Sequence, residues 1–143
     1  MGKNIFVIDG QGGMLGKQLT AAIIKAVPDC SVTAVGTNST ATSNMLKGGA
    51  HNAATGENAV IVGVRTADII VGPVGIAIAD SLLGEITPKM AVAVGQSLAK
   101  KVLLPMDKCN NFVVGTQGVP VSDLIAAAAE KVKELCEGHK KTC

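Results

Sequence analysis

The chain has 143 residues, enough for one globular domain with a real core and too few for two. Its formal net charge of +2, from 13 basic and 11 acidic residues, excludes a strong electrostatic case for nucleic acid or an anionic membrane as the partner. Hydrophobic residues make up 48% with no Trp or Tyr and two Phe, a composition that excludes a disordered, collagen-like or disulfide-scaffold chain.

Short β-branched runs alternate with amphipathic stretches along the chain. The predicted strands are residues 3–8, 31–35, 59–64, 68–71, 102–104 and 112–114. The predicted helices are residues 14–27, a short helix ending at 47, 88–99 and 122–136. Thr87 is the expected N-cap of the third helix, with Pro88 at its first position.

This order of elements predicts the fold class. Alternating helices and nearly all-apolar strands favour a parallel sheet covered on both faces. We therefore expect an α/β chain with a single-domain, three-layer Rossmann-like fold and a mostly parallel sheet over residues 1–137, followed by a frayed C-terminal tail over 138–143. No signal peptide or membrane span is recognisable, which predicts a cytoplasmic protein with no membrane partner.

A glycine cluster between the first strand and the first helix is the motif that carries chemistry. Gly10, Gly13 and Gly16 form a GxxGxxG pattern where a parallel α/β fold presents backbone N–H groups and a positive helix end to an anion. Glycine at these points allows a tight bend, close approach of a diphosphate and close packing of helix on strand. The alternative is that the glycines only permit the turn, or that the turn holds another anion.

The stretch over residues 7–19 resembles the opening of the extended and atypical short-chain dehydrogenases/reductases. That resemblance implies a site for NAD or NADP. Two features depart from it: Asp9 puts a carboxylate near the phosphate site, and the turn after strand two, with Thr37 and Asn38, lacks both the acidic residue that holds an NAD ribose and an Arg for a 2′-phosphate. The Tyr-xxx-Lys acid of that family is excluded, because the chain has no tyrosine.

Further loops should meet the glycine cluster at the carboxyl ends of the strands. They are residues 36–40, 72–75 and 105–111. The candidate cofactor-binding residues are Gly10, Gln11, Gly12, Gly13, Met14, Leu15, Gly16, Thr37, Asn38, Gly72 and Pro73. In an oxidoreductase the nicotinamide would lie near 72–75 and 105–110, and the cofactor would supply the hydride chemistry. Substituting Gly13 by Val is expected to abolish binding and leave the fold intact.

Two residues are catalytic candidates, and the sequence does not decide whether the chain is an enzyme. Cys109 follows Lys108, whose ammonium could lower the thiol pKa, but a lone Cys is more often a small buried apolar residue, and no base can be assigned. Asp9 is the second candidate, with Glu57 as its partner in a metal-dependent hydrolase hypothesis. We predict no metal site, because no His or Cys spacing indicates one.

Three further features of the sequence have a structural interpretation: segment 50–58, Glu85 and the cysteines. Residues 50–58, with His51, are expected to form a polar lid or interface loop. Glu85 is interpreted as a charge, or a cap, at the N-terminus of the next helix. The four cysteines are expected to be free thiols in a reducing compartment: Cys30, Cys109, Cys136 and Cys143.

The whole pattern also resembles a family of small prokaryotic proteins catalogued as a domain of unknown function. The segments that carry this resemblance are 8–13, 36–38, 54–58, 72–76 and 108–110. It implies a stand-alone short domain and no particular activity.

The leading hypothesis for function is a small protein that binds a nucleotide on the glycine turn. The alternative is a non-catalytic sensor or assembly protein that docks another protein through an apolar face. Because a 143-residue monomer has limited volume to bury so many apolar residues, we also predict a homodimer or larger assembly.

Overall fold

Five short runs form the strands of one sheet: β1 (Asn4–Asp9), β2 (Ser31–Gly36), β3 (Asn52–Thr55), β4 (Ile69–Pro73) and β5 (Lys100–Leu104). The computed structural model describes residues 2–106 and 110–138. Every strand pairing is parallel, and the order across the sheet is β3-β2-β1-β4-β5. The chain therefore winds in opposite directions on the two sides of the β1–β4 pair, and this is where ligands of such sheets bind.

The helices cover both faces of the sheet: α1 (Met14–Ala26), α2 (Ser39–Lys47), α3 (Glu57–Gly63), α4 (Pro88–Gln96) and α5 (Val121–Cys136). One apolar core joins α1, α2 and α5 to the sheet through residues such as Leu19, Met45 and Ile125. A second core joins α3 and α4 to the opposite face through Val60 and Met90. The sheet is thus the middle of three layers, which confirms the predicted Rossmann-like α/β fold.

Most element boundaries fall within a few residues of the prediction. Thr87 caps α4, since its Oγ1 accepts a hydrogen bond from the Met90 N–H at 3.2 Å, and Pro88 is the first helical residue. None of the helices in the described ranges has both the length and the apolarity needed to cross a membrane. The division into a domain over 1–137 and a frayed tail stays a prediction, because residues 139–143 lie outside the described part of the chain.

The strand predicted over residues 59–64 is wrong, because this segment belongs to helix α3. Its β-branched run is typical of a buried strand. However, Val60 and Val64, four residues apart, are buried while Val62 between them is exposed, so the segment uses helical spacing. Gly63 lets the helix lie on the sheet, because a Cβ there would be 2.2 Å from the Phe6 ring. Packing against the sheet has overridden strand propensity.

Two other predictions need correction. The segment 50–58, expected as a polar loop, contains β3, an edge strand whose sequence, Asn-Ala-Ala-Thr, has no alternation of apolar and polar residues. Residues 112–114, expected as a last strand, are irregular, and Phe112 and Val114 are exposed. In both places the apolar pattern was a poor guide, because an edge strand and an exposed loop contribute little to the core.

Candidate functional site

A cleft of about 250 Å³ lies at the carboxyl edge of the sheet, beside the point where β1 and β4 diverge. The turn between β1 and α1 forms one wall, and the end of β4 with residues that follow β4 and β5 forms the other. The cleft is lined by Asp9, Gly10, Gln11, Gly12, Gly13, Met14, Leu15, Pro73, Val74, Gly75, Ser81, Leu82, Met106 and Asn111.

Gly13 determines the shape of the β1–α1 turn. It is the N-cap of α1 at a left-handed φ of 72°, and its N–H donates to the Gly10 carbonyl at 3.0 Å. A Cβ at Gly13 would lie 2.5 Å from the Cα of Ala41 in α2. A side chain at this position would therefore be strained and would collide with backbone, so the expectation that Gly13→Val leaves the fold intact is wrong.

Asp9 holds the same turn from inside. Its Oδ1 accepts from the Gly10 N–H and its Oδ2 from the Gly16 N–H, each at 2.8 Å, and the residue is buried. The carboxylate therefore ties the end of β1 to the first turn of α1. Because its oxygens are engaged by backbone donors, the repulsion of an approaching phosphate is reduced.

Three backbone N–H groups on this wall have no acceptor in the described ranges. They belong to Gly12, Met14 and Leu15, which all line the cleft at the N-terminus of α1. The first N–H groups of a helix lack intrahelical partners, and the helix dipole adds positive potential there. This wall can accept an anion without moving any backbone hydrogen bond.

Two amides of the next loop and helix hold the outer side of the turn. Asn38 Nδ2 donates to the Gln11 carbonyl at 3.0 Å, and Asn44 Nδ2 donates to the Gly12 carbonyl at 2.7 Å. The turn is therefore preorganised by side chains from the region of β2 and α2. Such fixed geometry lowers the ordering cost of binding.

Ser81 brings an unsatisfied hydroxyl to the opposite wall. The residue is only 4% exposed and lines the cleft, yet its Oγ has no hydrogen-bond partner within the part of the chain that the structure describes. A buried hydroxyl without a partner costs roughly 1–3 kcal/mol, so such groups are uncommon and call for a reason. A ligand oxygen in the cleft would supply the missing partner.

Ser81 belongs to a bent segment, residues 78–87, that connects the short turn after β4 to α4. Asp80, Leu82, Leu83 and Gly84 all have positive φ values between 56° and 87°. Hydrogen bonds across the segment hold this shape, including Asp80 N–H to the Ile86 carbonyl at 2.7 Å. Non-glycine residues in this conformation are strained and cluster at functional sites.

Glu85, in the same segment, reaches the loops that follow β1 and β2. Its Oε1 accepts from Thr37 Oγ1 at 2.6 Å, from Asn38 Nδ2 at 2.7 Å and from the Gln11 N–H at 3.0 Å. Partial burial raises the pKa of Glu85, but these three hydrogen bonds outweigh it and leave the pKa below its ordinary value. Glu85 is therefore a carboxylate at neutral pH.

The residues predicted to bind a cofactor separate into three groups. Residues 10–15 and Pro73 line the cleft together. Gly16 and Gly72 are instead sites of close packing, since a Cβ would lie 2.5 Å from Met45 Sδ at Gly16 and 2.4 Å from the Ile8 carbonyl at Gly72. Thr37 and Asn38 lie outside the cleft, on the Glu85 carboxylate.

The sequence did not identify Ser81. It placed Glu85 at the N-terminus of the next helix, as a charge or a cap. The α4 cap is Thr87, while Glu85 bonds to residues 47 to 74 positions away in the chain. The one local signal was the position of Glu85 as an isolated charge between Asp80 and Lys89.

The remaining candidates lie apart from the cleft or outside the description. Cys109 is among residues 107–109, which the structure does not describe. His51 Nδ1 accepts from the Val32 N–H at 3.0 Å and so supports the sheet edge. Glu57 begins α3, and within residues 2–106 and 110–138 no group of three His, Cys, Asp or Glu side chains could hold a metal.

Among solved structures, a dodecameric FMN-dependent UbiX-like decarboxylase from Escherichia coli O157:H7 is similar over 99% of this chain and 98% of its own, with a TM-score of 0.54. At 16% identity this similarity shows the fold alone. An imine reductase variant from Myxococcus stipitatus, solved with NAD+, is similar over 74% of this chain at 26% identity and a TM-score of 0.45, and the match spans 32% of that enzyme. A search of the curated proteins gives no match.

The model of one family, described as a domain of unknown function (DUF3842), matches residues 4–137. The chain therefore belongs to that family, which confirms the resemblance to a domain of unknown function. The separate similarity of the GxxGxxG motif to short-chain dehydrogenases is not shown by these comparisons and stays a prediction.

Proposed function

We propose that this protein binds NAD or NADP, with the diphosphate on the β1–α1 turn. The observation that carries the proposal is the set of three N–H groups, at Gly12, Met14 and Leu15, that line the cleft without an acceptor in the described ranges. Backbone donors at a helix N-terminus are the usual partners of a diphosphate in parallel α/β folds.

The surroundings of the turn support an anion. A Cβ added at Gly12 would meet no atom within 4 Å, so a phosphate has room to approach the backbone there. Asp9 is held by backbone donors, and the buried Ser81 Oγ on the facing wall lacks a partner among described residues. The Ser81 hydroxyl would donate to a phosphate oxygen and remove its own desolvation cost.

The size of the cleft indicates how a dinucleotide would lie. At about 250 Å³ it is below the roughly 300–1,000 Å³ of ordinary ligand pockets. It would hold the diphosphate and the nicotinamide half, beside Pro73, Gly75 and Met106. The adenosine half would extend along the sheet edge toward the end of β2. The proposal concerns binding; the cofactor would supply hydride chemistry in any reaction.

Thermal unfolding with NAD+, NADP+ and FMN tests this proposal. A ligand at 100 times its Kd stabilises by about 2.7 kcal/mol, so a clear rise in Tm is expected with a dinucleotide. Gly12→Val should abolish that rise without changing the Tm of the free protein, because its side chain fills the space above the turn. Gly95→Val is the matched control, since Gly95 in α4 also has no atom within 4 Å of an added Cβ.

The outcomes separate clearly. A dinucleotide response that persists in Gly12→Val would place the site elsewhere. A response to FMN alone would replace the dinucleotide by a flavin mononucleotide, the cofactor named for the UbiX-like decarboxylase of similar fold. No response to any of the three at millimolar concentration would contradict the proposal.

A second candidate function, assembly through an apolar face, is favoured by a separate observation. Phe112 and Val114 are 79% and 90% exposed, and Leu83 and Leu98 are also largely exposed. A contiguous patch of such side chains would be an interaction surface. We expect at least a homodimer by light scattering at micromolar concentration, and a shift toward monomer in Phe112→Ser. A monomer in the unsubstituted protein would contradict this candidate.

A cytoplasmic location is also part of the proposal. Cys30 and Cys136 are both free thiols. Burial raises the pKa of each, so neither is an activated nucleophile. Free, unreactive thiols are typical of proteins in a reducing compartment.

A further inference from the structure

The Glu85 carboxylate joins three parts of the chain at the edge of the proposed nucleotide site. It extends from segment 78–87 to the Gln11 N–H on the β1–α1 turn and to Thr37 and Asn38 after β2. All three donors bond to Oε1. This oxygen is saturated, and its position is fixed by contacts to two separate loops.

The second oxygen of Glu85 is differently placed. Oε2 accepts no hydrogen bond from the described residues, and the side chain is only partly buried. The carboxylate is charged at neutral pH, because its pKa is lowered by the three donors despite partial burial. Glu85 therefore presents one oriented, charged acceptor atom that a ligand hydroxyl can use.

The place of this carboxylate in the fold indicates which ligand group it would meet. When a diphosphate lies on the β1–α1 turn of a doubly wound sheet, the attached ribose lies at the end of the neighbouring strand, here β2. The residues that follow β2, Thr37 and Asn38, carry no charge of their own. Glu85 supplies a carboxylate to that place from another element, 47 positions along the chain from Asn38.

We propose that Glu85 makes the site selective for an unphosphorylated ribose, so that it takes NAD(H) in preference to NADP(H). This inference rests on the proposed dinucleotide function. A free ribose diol donates hydrogen bonds to a carboxylate, whereas a 2′-phosphate brings a second negative charge against it. The single arginine of the sequence, Arg65, lines a separate cavity with Ala67 and Ala99, which precede β4 and β5, so it lies at the amino edge of the sheet and not at the carboxyl edge where the cleft is.

The orphan hydroxyl of Ser81 is an independent sign that segment 78–87 meets a ligand. Ser81 and Glu85 are four residues apart on the same bent segment, and Ser81 is buried on the wall of the cleft. One residue would meet the diphosphate and the other the ribose. The strained backbone between them, at Leu82 and Leu83, is what presents both side chains toward the β1–α1 turn.

Calorimetric titration of NAD+ and NADP+ into three proteins tests the selectivity. The unsubstituted protein should bind NAD+ at least about tenfold more tightly than NADP+, the size expected for charge-assisted hydrogen bonds. Glu85→Gln should bring the two dissociation constants within about threefold of each other, mainly because it weakens the binding of NAD+. Glu130→Gln, which removes the same charge from the exposed face of α5, should leave the ratio unchanged.

Failure of this inference differs from failure of the proposed function. If the unsubstituted protein binds both dinucleotides equally, or if Glu85→Gln keeps the preference, the inference is overturned and dinucleotide binding stands. If neither dinucleotide binds the unsubstituted protein, both are overturned. If Glu85→Gln is poorly folded by circular dichroism, Glu85→Asp decides, because it keeps the charge and must keep a preference for NAD+; loss of preference there overturns the inference.

Discussion

Two segments face each other across the same cleft, and they are built in opposite ways. The β1–α1 turn and the first residues of α1, together residues 10–15, present backbone N–H groups, and the turn relies on glycine. Segment 78–87 presents side chains, the Ser81 hydroxyl and the Glu85 carboxylate, on a backbone strained at non-glycine residues. A cleft can therefore combine one wall that a sequence motif predicts with another that only the folded chain brings together.

The two segments also differ in how they tolerate substitution. Gly13 is required because both its φ and its surroundings exclude a side chain. Leu82 and Leu83 adopt left-handed conformations although each carries a large side chain, so their strain is offset by the contacts of the whole segment. A Cβ added at Gly13 should therefore destabilise the fold, whereas removal of the side chain of Leu83 should relieve backbone strain.

The largest effect is expected at Gly13. Gly13→Ala should lower the free energy of unfolding by about 2–5 kcal/mol, the sum of left-handed strain and overpacking against Ala41. Gly12→Ala, one residue earlier, should change it by less than about 1 kcal/mol, because its Cβ meets no atom. Urea denaturation measures both. Equal losses in the two variants would contradict the distinct role given to Gly13.

The next effect concerns Glu85 and pH. Glu85→Gln should lower stability by about 1–2 kcal/mol at neutral pH, since a neutral amide makes weaker hydrogen bonds to the three donors. Because the folded-state pKa of Glu85 is lowered, its contribution is present above about pH 4.3 and is lost as pH falls through the folded pKa.

The difference between the unsubstituted protein and Glu85→Gln should therefore be constant near neutrality and shrink in acid. Denaturation at a series of pH values checks this. A difference that grows as the pH falls would mean that the charge of Glu85 destabilises the folded protein.

A smaller effect distinguishes two buried hydroxyls. Thr20 Oγ1 in α1 and Ser81 Oγ both lack partners among the described residues. Thr20→Val and Ser81→Ala should each raise the stability of the free protein by about 1 kcal/mol, because a desolvated group is removed. Only Ser81→Ala should also lower the affinity for NAD+, because Thr20 does not line the cleft. Equal ligand affinity in the two variants would remove Ser81 from the site.

The smallest effect is expected at Leu83, which is 88% exposed at a φ of 56°. Leu83→Gly should raise stability by about 0.5 kcal/mol, because relief of left-handed strain exceeds the entropic cost of glycine. Leu98→Gly is the control, since Leu98 is also exposed but has no positive φ. It should lose about 0.5–1 kcal/mol. A loss at Leu83 as large as that at Leu98 would show that the bent backbone is unstrained.

The fold could be predicted where its signals are local. Apolar periodicity identified α1, and the Thr87-Pro88 pair identified the start of α4. The strand prediction over 59–64 failed because β-branched residues suit a strand, while contact with Phe6 and the sheet stabilises a helix there. Edge strand β3 was missed because its four residues, Asn-Ala-Ala-Thr, show no alternation of apolar and polar side chains.

The site divides in the same way. Residues 10–15 could be predicted as part of the cleft wall, because the glycines that a tight turn needs lie close together in the sequence. The role of Gly16 in packing on Met45 could not, since the same glycine pattern serves binding and packing alike. Glu85 and Ser81 depend on contacts between distant parts of the chain, and one sequence carries no measure of such distances.

The central claim is that the N–H groups of the β1–α1 turn hold the diphosphate of a dinucleotide. The most direct measurement is a titration of ¹⁵N-labelled protein with NAD+, followed by the backbone amide resonances. We expect saturable shifts at Gly12, Met14 and Leu15, and little change at Cys30, at the opposite edge of the sheet. Unchanged resonances at those three residues while NAD+ saturates the protein, or shifts confined to another surface, would contradict the claim.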